Sequence, residues 1–185
     1  DPNHILGHGY AFSVSAKYGA SFPEMNYQFS NRGISGNKVT DLQVRWKTDT
    51  LDLKPDVLSI LIGVNDNNSV PLDKYEAVYD QLLTETRAAL PDIKLVLCEP
   101  FILPVGGVRQ AWDSWNPGII ARQKIVAKLA QKHHAAFVKF QKVFDDACKR
   151  APADYWIWDG VHPTYSGHQL MADEWMRTVQ AFLKK

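Results

Sequence analysis

Short apolar runs alternate along the chain with stretches whose apolar residues recur at helical spacing. The apolar runs predict strands over residues 25–31, 56–62, 93–98 and 136–140. The run at 56–62 is rich enough in aliphatic side chains to be buried on both faces, which is typical of parallel sheets. The helical spacing predicts helices over residues 10–18, 37–51, 72–90, 116–134, 141–150 and 165–183, the last with Thr164 as its N-cap. Strands separated by helices predict one α/β domain over residues 1–185 with a parallel sheet.

Composition and charge narrow the function classes. A net charge of +1 gives no electrostatic reason to expect nucleic acid or an anionic membrane as partner. No apolar run approaches the ~20 residues that a membrane-spanning helix needs. Cys98 and Cys148 form no CxxC motif or other paired spacing, so we predict neither a disulfide framework nor a zinc site. This cysteine usage favours a reducing compartment and a cytoplasmic location.

An aspartate and a histidine stand three residues apart in Asp159-Gly160-Val161-His162. A carboxylate on one ring nitrogen fixes the tautomer of a histidine and stabilises the imidazolium formed when a nucleophile gives up its proton. A turn containing glycine can bring the first and fourth positions together. The pair can equally well shape a turn before the last helix, so the spacing alone leaves both interpretations open.

Two polar loops follow predicted strands, where the carboxyl ends of parallel strands place the chemistry of α/β folds. Residues 31–37 form a Gly-rich turn that opens a helix, and its backbone N–H groups can point at a developing negative charge. The spacing Gly33-x-x-Gly36-x-Lys38 does not match a P-loop. Asn65, just after the strand at 56–62, offers a neutral NH₂ donor suited to an oxyanion. Glycine and Asn/Asp clusters are also ordinary turn chemistry, so each loop alone leaves both interpretations open.

Together these three motifs resemble those of the SGNH (GDSL-type) hydrolases, a family of esterases and acetylesterases. The family has Asn-x-x-x-x-Gly, Gly-x-Asn-Asp and Asp-x-x-His-Pro, which stand here at residues 31–36, 63–66 and 159–163, in the same order. The resemblance runs from Gly7 to the end. Residues 56–62, residues 95–100 and Trp158 are similar to those of a branch that acts on acetylated carbohydrate, as acetylxylan esterases do. It implies a flavodoxin-like three-layer α/β/α fold with a parallel sheet in the order 2-1-3-4-5.

The resemblance also implies the roles of the site residues. The Gly36 N–H and the Asn65 side chain would be two of three oxyanion-hole donors. His162 would be the general base and later the general acid, and Asp159 its orienting carboxylate.

Further side chains are candidates for binding the substrate. Aromatic faces stack well on sugar rings, and Trp158 adjoins Asp159, so we expect Trp158 to bind substrate together with Asp66. For Trp112 and Trp115, half-exposed packing is the better explanation.

One expected block is missing. The family's Gly-Asp-Ser-(Leu/Ile) should supply the nucleophilic serine and the third oxyanion donor, and the sequence contains no Gly-Asp-Ser. Ser13 and Ser15 lie in a predicted helix, Ser35 in the glycine turn and Ser59 in mid-strand, so none has the right setting. In the expected sheet order the missing strand is interior, and each buried backbone group left unpaired would cost about 1–3 kcal/mol. We therefore expect a strand carrying the serine to precede this sequence, and a loop longer than the present one after Asn68.

The predicted function is that of a serine esterase that hydrolyses short-chain acyl esters and deacetylates carbohydrate. Two alternatives keep the fold: a binding module that lacks its nucleophile, and a lysophospholipase or thioesterase with another acyl preference. A flavodoxin-like protein that binds phosphate at the Gly33–Gly36 turn is a further alternative.

No metal or cofactor is predicted. His4, His8, His133 and His134 occur as pairs without the convergent carboxylates or further histidines that a metal site needs. The predicted partner is a small acyl ester or an acetylated sugar, with no nucleic acid and no membrane, and a homo-oligomer remains open.

Overall fold

The structure is a computed structural model that describes residues 5–184. Its strands are β1 (Val57–Leu61), β2 (Lys94–Cys98) and β3 (Ala136–Val138). Its α-helices are α1 (Tyr10–Ser21), α2 (Val39–Trp46), α3 (Leu72–Ala89), α4 (Gly106–Gln110), α5 (Trp112–Lys132), α6 (Phe140–Ala147), α7 (Ala153–Trp156) and α8 (Tyr165–Leu183). A 3₁₀ turn spans Pro23–Met25, and a π-helical turn spans Lys47–Leu51 directly after α2.

The three strands form one parallel sheet in the order β1-β2-β3. Val57 pairs with Lys94 at the start of the first ladder, and Val96 pairs with Ala136 at the start of the second. Strand order therefore follows chain order, as it does for the last three strands of the predicted sheet. The predicted α/β class and parallel sheet are confirmed.

Helices cover both faces of this sheet. The side chains of a strand alternate between its faces, so a strand with apolar residues throughout contributes to a core on each side. Leu95 and Leu97 of β2 belong to a core cluster with residues of α2, α3 and α5. Val96 and Cys98 belong to a second cluster with residues of α1, α6 and α8. The fold therefore has three layers, with its functional loops at the carboxyl edge of the central one.

The strand predicted over residues 25–31 is wrong. Met25 ends the 3₁₀ turn, and Asn26 follows in the left-handed region at φ 47°, which strand geometry does not allow. Among the described residues the sheet ends at β1, so the segment has no strand to pair with. Phe29 packs partly against the core, and both Phe29 and Tyr27 make edge contacts with Tyr18.

All six predicted helices are found, with some bounds displaced. The helix predicted over 37–51 divides into α2 and the π-helical turn, and α8 agrees with its prediction. The helix predicted from residue 116 begins at Trp112, so Pro117 lies inside α5 rather than at its start. The short helices α4 and α7 have too few residues to show a period, and the sequence did not predict them. No helix within residues 5–184 combines the length and apolarity needed to cross a bilayer.

Candidate active site

The loop between α7 and α8 forms a closed hairpin that carries the predicted Asp–His pair at its tip. Ile157 and Pro163 form an isolated antiparallel bridge, and Trp158 N donates to His162 O at 3.1 Å. Thr164 ends the hairpin and caps α8, because its Oγ1 accepts from Gly167 N at 3.2 Å. The predicted cap is confirmed. The hairpin is therefore fixed at its base by a bridge and by a long helix.

The Asp159 carboxylate takes part in three hydrogen bonds within this hairpin. Asp159 Oδ1 accepts from the backbone N–H groups of Val161 and His162, at 3.0 and 2.8 Å. Asp159 Oδ2 lies 2.7 Å from His162 Nδ1. A carboxylate in this position holds the proton on Nδ1 and leaves Nε2 able to accept one. The His162 side chain is 62% exposed, so that Nε2 can be reached from solvent.

The carboxyl group of Asp159 is poised to stay ionised. Its partial burial by itself raises the pKa, but the hydrogen bonds from the His162 ring and from the N–H groups of His162 and Val161 outweigh this effect. The net result is a pKa below the ordinary value of an aspartate. Asp159 is therefore a carboxylate wherever His162 acts as a base.

Two glycines allow the backbone of α4 to lie against the Asp159 loop. Gly106 has φ +51°, and a Cβ there would lie 2.6 Å from the Asp159 Cα. Gly160 has φ +106°, and a Cβ there would lie 2.4 Å from the Val108 Cβ. Leu103 N also donates to Gly160 O at 2.9 Å. The role of Gly106 was missed, and the adjacent glycines at 106 and 107 were the signal for a close backbone approach.

The predicted oxyanion loops lie beside each other. Asn37 N donates to Ile34 O at 3.2 Å, and this turn places Gly36 at φ +80°, where a type II turn favours glycine. The Gly36 N–H donates to no group in the described residues, and nothing lies within 4 Å of where its Cβ would be. Asn65 Nδ2 donates to Asn37 O at 3.2 Å. The structure thus brings Asn65 to the turn that contains Gly36.

Asp66 has a different environment from the one expected for a substrate-binding residue. Its side chain is fully buried, and Oδ1 accepts from Val39 N, at the start of α2, at 2.9 Å. Burial raises the pKa of this carboxyl despite that hydrogen bond and the nearby Arg122 guanidinium. Arg122 also donates to Asp66 O at 2.9 Å and to Val70 O at 2.6 Å, so it holds the backbone of this loop. The free N–H groups at a helix N-terminus attract a carboxylate, which explains why Asp66 faces inward.

The predicted aromatic residues occupy two settings. Trp158 is 63% exposed and stacks on the His162 ring, with the ring centroids 5.7 Å apart and the planes 20° from parallel. Trp112 and Trp115 are half-buried against a small cluster that contains Ile119. Trp158 therefore flanks the candidate base, whereas Trp112 and Trp115 pack as expected.

The described residues supply part of the site. The structure joins Asp159 and Trp158 to His162, and Asn65 to the Gly36 turn. Within residues 5–184 no hydrogen bond links His162 to a serine. The candidate base and the candidate oxyanion donors thus form two separate hydrogen-bonded groups within the described residues.

Residues 6–170 match the sequence model of the GDSL-like lipase/acylhydrolase family. The chain belongs to this family. Membership in the GDSL-like family places it among the carboxylic ester hydrolases.

Relatives in this GDSL-like family are esterases by name. An acetylxylan esterase of Geobacillus stearothermophilus is 32% identical over 188 residues, which cover 94% of this chain and 82% of the relative. A multidomain esterase of Ruminococcus flavefaciens is 24% identical over 92% of this chain, but the match covers only 23% of that larger protein.

Solved structures share the fold closely. The crystal structure of a protein from Parabacteroides merdae, described as a GDSL-like lipase, has a TM-score of 0.89 and 41% identity, covering 93% of this chain and 82% of that one. The crystal structure of the Geobacillus stearothermophilus acetylxylan esterase has a TM-score of 0.83 and 31% identity, covering 94% and 82%.

Proposed function

We propose that this GDSL-family chain hydrolyses short acyl esters and removes acetyl groups from carbohydrate, with His162 as general base and Asp159 as its orienting carboxylate. The observation that carries the proposal is the bond between Asp159 Oδ2 and His162 Nδ1, at 2.7 Å, on a ring that is 62% exposed. Such a ring has its second nitrogen directed away from the carboxylate and available to a nucleophile.

The chemistry follows from these positions. The proposed nucleophile is a serine of the family's Gly-Asp-Ser block, a block that residues 1–185 do not contain. His162 Nε2 takes the proton of the serine hydroxyl as its oxygen attacks the ester carbonyl. The Gly36 N–H and the Asn65 NH₂ stabilise the negative oxygen of the tetrahedral intermediate. His162 then protonates the leaving alcohol, and a water activated by the same histidine releases the acyl group. No step requires a metal or a cofactor.

Similar proteins support both the residues and the substrate class. Structures of catalytic mutants of the Geobacillus stearothermophilus acetylxylan esterase carry alanine in place of a serine, an aspartate or a histidine. In that enzyme the replaced aspartate and histidine are three positions apart, as Asp159 and His162 are here. The same enzyme is also described as an acetyl-xylooligosaccharide esterase. We infer that an acetylated sugar is the substrate of this chain as well.

Trp158 and Asp66 receive different roles in this proposal. Trp158 presents its exposed face beside His162, where a sugar ring of the substrate can stack on it. Asp66 is buried against α2, so we propose that it acts by holding Asn65, its neighbour in the chain, rather than by touching substrate.

One observation favours a second candidate, a binding module that retains the pocket without hydrolysing its ligand. In the part of the chain that the structure describes, no serine is hydrogen bonded to His162. A binding module would retain an acetylated sugar and release no acetate.

Acetate release from an acetylated xylooligosaccharide tests the proposal, with a series of chromogenic esters of increasing acyl length as a second substrate set. We expect acetate release, a preference for the acetyl ester, and loss of both activities in the His162→Ala variant. Binding of the oligosaccharide without acetate release would favour the binding module. A preference for long acyl chains would instead favour a lysophospholipase or thioesterase.

A further inference from the structure

The Asn65 amide has one of its two N–H groups already engaged. A side-chain amide carries two N–H donors. One of them donates to Asn37 O at 3.2 Å. The Asn65 backbone is also held, since Ser69 Oγ donates to Asn65 O at 2.9 Å. The orientation of the second N–H, which the proposed function directs at the oxyanion, therefore depends on where the Asn37 carbonyl lies.

A single arginine of α2 holds both ends of the turn that carries this carbonyl. Arg45 Nε donates to Asn37 Oδ1 at 3.1 Å, and Arg45 Nη1 donates to Arg32 O at 2.8 Å. Gly36 lies between these two anchors in the chain. The guanidinium thus spans the loop that presents the Gly36 N–H.

Arg45 is in turn fixed by a carboxylate. Arg45 Nη1 lies 2.5 Å from Asp49 Oδ2, and Asp49 Oδ1 also pairs with Arg32. Asp49 belongs to the π-helical turn after α2, in which Asp52 N donates to Lys47 O at 2.8 Å, a bond spanning five residues. Single π turns inside helices are frequent at functional sites. Asp49 lies four residues after Arg45, and its carboxylate reaches the guanidinium across about one turn of this segment.

We propose that Arg45 is the positioning residue of the oxyanion hole: it fixes the Asn37 turn and, through that turn, the Gly36 N–H and the Asn65 amide. The inference rests on the proposed function, because it assumes that these two groups stabilise an oxyanion. Donors to an oxyanion act by being held in place before the charge develops, so their supports contribute to the rate without contacting substrate. A planar guanidinium reaches two acceptors of the loop and a carboxylate at once, which a lysine ammonium cannot reproduce in that geometry.

Steady-state kinetics of Arg45→Met and Arg45→Lys in the natural protein, with a chromogenic acetyl ester, test this inference. We expect kcat to fall by up to about 10²-fold in both variants, because a displaced donor loses its alignment with the reacting group. KM should stay close to that of the wild type, since the lost interaction is made in the transition state. A kcat at the wild-type level in Arg45→Met would overturn the inference. Full rescue of kcat by Arg45→Lys would do so too, because charge alone would then suffice.

The inhibition constant of a short alkylboronic acid is a second measurement, and it should not change if Arg45 only stabilises the fold. Its tetrahedral adduct with the serine mimics the transition state and places an oxygen in the oxyanion hole. We expect its inhibition constant to rise in Arg45→Met by the same factor as kcat/KM falls. An unchanged inhibition constant would contradict the assignment.

Two controls separate positioning from general destabilisation. Lys47→Met removes a cation two residues further along the chain, whose ion pair among the described residues is with the exposed Asp52, and should leave kcat and the inhibition constant unchanged. Adding Asn37→Ala to Arg45→Met should cause little further loss, because both changes break one chain of contacts. Additive losses would show that the two residues act independently and would overturn the proposed chain.

The two proposals can fail separately. If His162→Ala hydrolyses the ester at the wild-type rate, the proposed function itself is wrong. If His162→Ala is inactive while Arg45→Met has the kcat of the wild type, the function stands and only the role of Arg45 is refuted.

Discussion

Two Asp–His pairs in this molecule have the same hydrogen-bond distance between nitrogen and oxygen but different surroundings. His162 Nδ1 lies 2.7 Å from Asp159 Oδ2, and His133 Nε2 lies 2.7 Å from Asp80 Oδ1. The first pair spans three residues within one hairpin, whereas the second joins α3 to the end of α5 across 53 residues of sequence.

The two histidines differ most in their solvent exposure and in the groups around them. The His162 side chain is 62% exposed, and its other ring contact is Trp158. The His133 side chain is 8% exposed, and Lys132 Nζ shares the same carboxylate at 2.6 Å. Arg87 also donates to His133 O at 2.7 Å.

An Asp–His bond alone therefore does not identify a catalytic base. A base must keep one ring nitrogen within reach of a nucleophile, and its carboxylate must not be shared with a permanent cation. His162 meets both conditions. His133 is itself buried and belongs to a polar network with the partly exposed Asp80 and Lys132 that fastens two helices, and we assign that network to stability.

The largest expected effect is a loss of activity when the carboxylate of the first pair, but not that of the second, is replaced by an amide. Asp159→Asn should lower kcat/KM by about 10⁴-fold, because an amide cannot hold the proton on Nδ1 as a carboxylate does. Asp80→Asn should leave kcat/KM at the wild-type level. Steady-state hydrolysis of a chromogenic acetyl ester measures both, and equal losses in the two variants would contradict the distinction between the pairs.

Changing Asn65, the proposed oxyanion donor, should give the next largest loss of activity. Asn65→Ala should lower kcat by about 10²–10³-fold, the usual cost of losing one such donor. Asn65→Asp, which keeps the shape but offers no donor and adds a negative charge, should lose at least as much. Thermal melting of both variants checks that the fold survives. If Asn65→Asp keeps the wild-type kcat, Asn65 is not an oxyanion donor.

The sequence predicts one of these two Asp–His pairs and not the other. The Asp159 and His162 pair is local, so the spacing of three residues and the glycine turn were enough to predict it. The Asp80 and His133 pair depends on how α3 packs against α5, which no spacing encodes.

Contacts between distant parts of the chain also explain where the other predictions from the sequence succeeded or failed. The aliphatic runs of β1 and β2 predicted strands correctly, because buried parallel strands carry an unmistakable composition. The strand predicted over 25–31 was wrong, because pairing partners decide whether an extended segment becomes a strand. Asp66 and Arg45 have roles set by contacts with distant parts of the chain, and these became visible only in the structure.

Changes to the second pair should lower stability more than changes to the first pair, the reverse of their expected effects on activity. Asp80→Ala should lower the free energy of unfolding by about 1–3 kcal/mol, since it leaves the buried His133 ring nitrogen without a partner. His162→Ala should change it by less than about 0.5 kcal/mol, because the side chain is largely exposed. Urea denaturation followed by tryptophan fluorescence measures both. A larger loss in His162→Ala than in Asp80→Ala would reverse the assignment.

The pH dependence of stability gives the smallest effect. Partial burial alone would raise the pKa of Asp80, but the hydrogen bonds from Lys132 and His133 outweigh it and lower the pKa below its usual range. A carboxyl whose pKa is lower in the folded state stabilises the fold above its unfolded pKa, and this contribution is lost as the pH falls through the folded pKa. The stability difference between wild type and Asp80→Ala should therefore persist at neutral pH and shrink below about pH 4. A difference that grows on acidification would contradict the sign.

The most direct test of His162 as the general base is the initial rate of acetyl ester hydrolysis by the natural protein, by His162→Ala and by His133→Ala, measured at one neutral pH. We predict that His162→Ala loses at least about 10³-fold in rate while His133→Ala, where folded, retains the wild-type rate. A His162→Ala variant that hydrolyses the ester as fast as the wild type would contradict it.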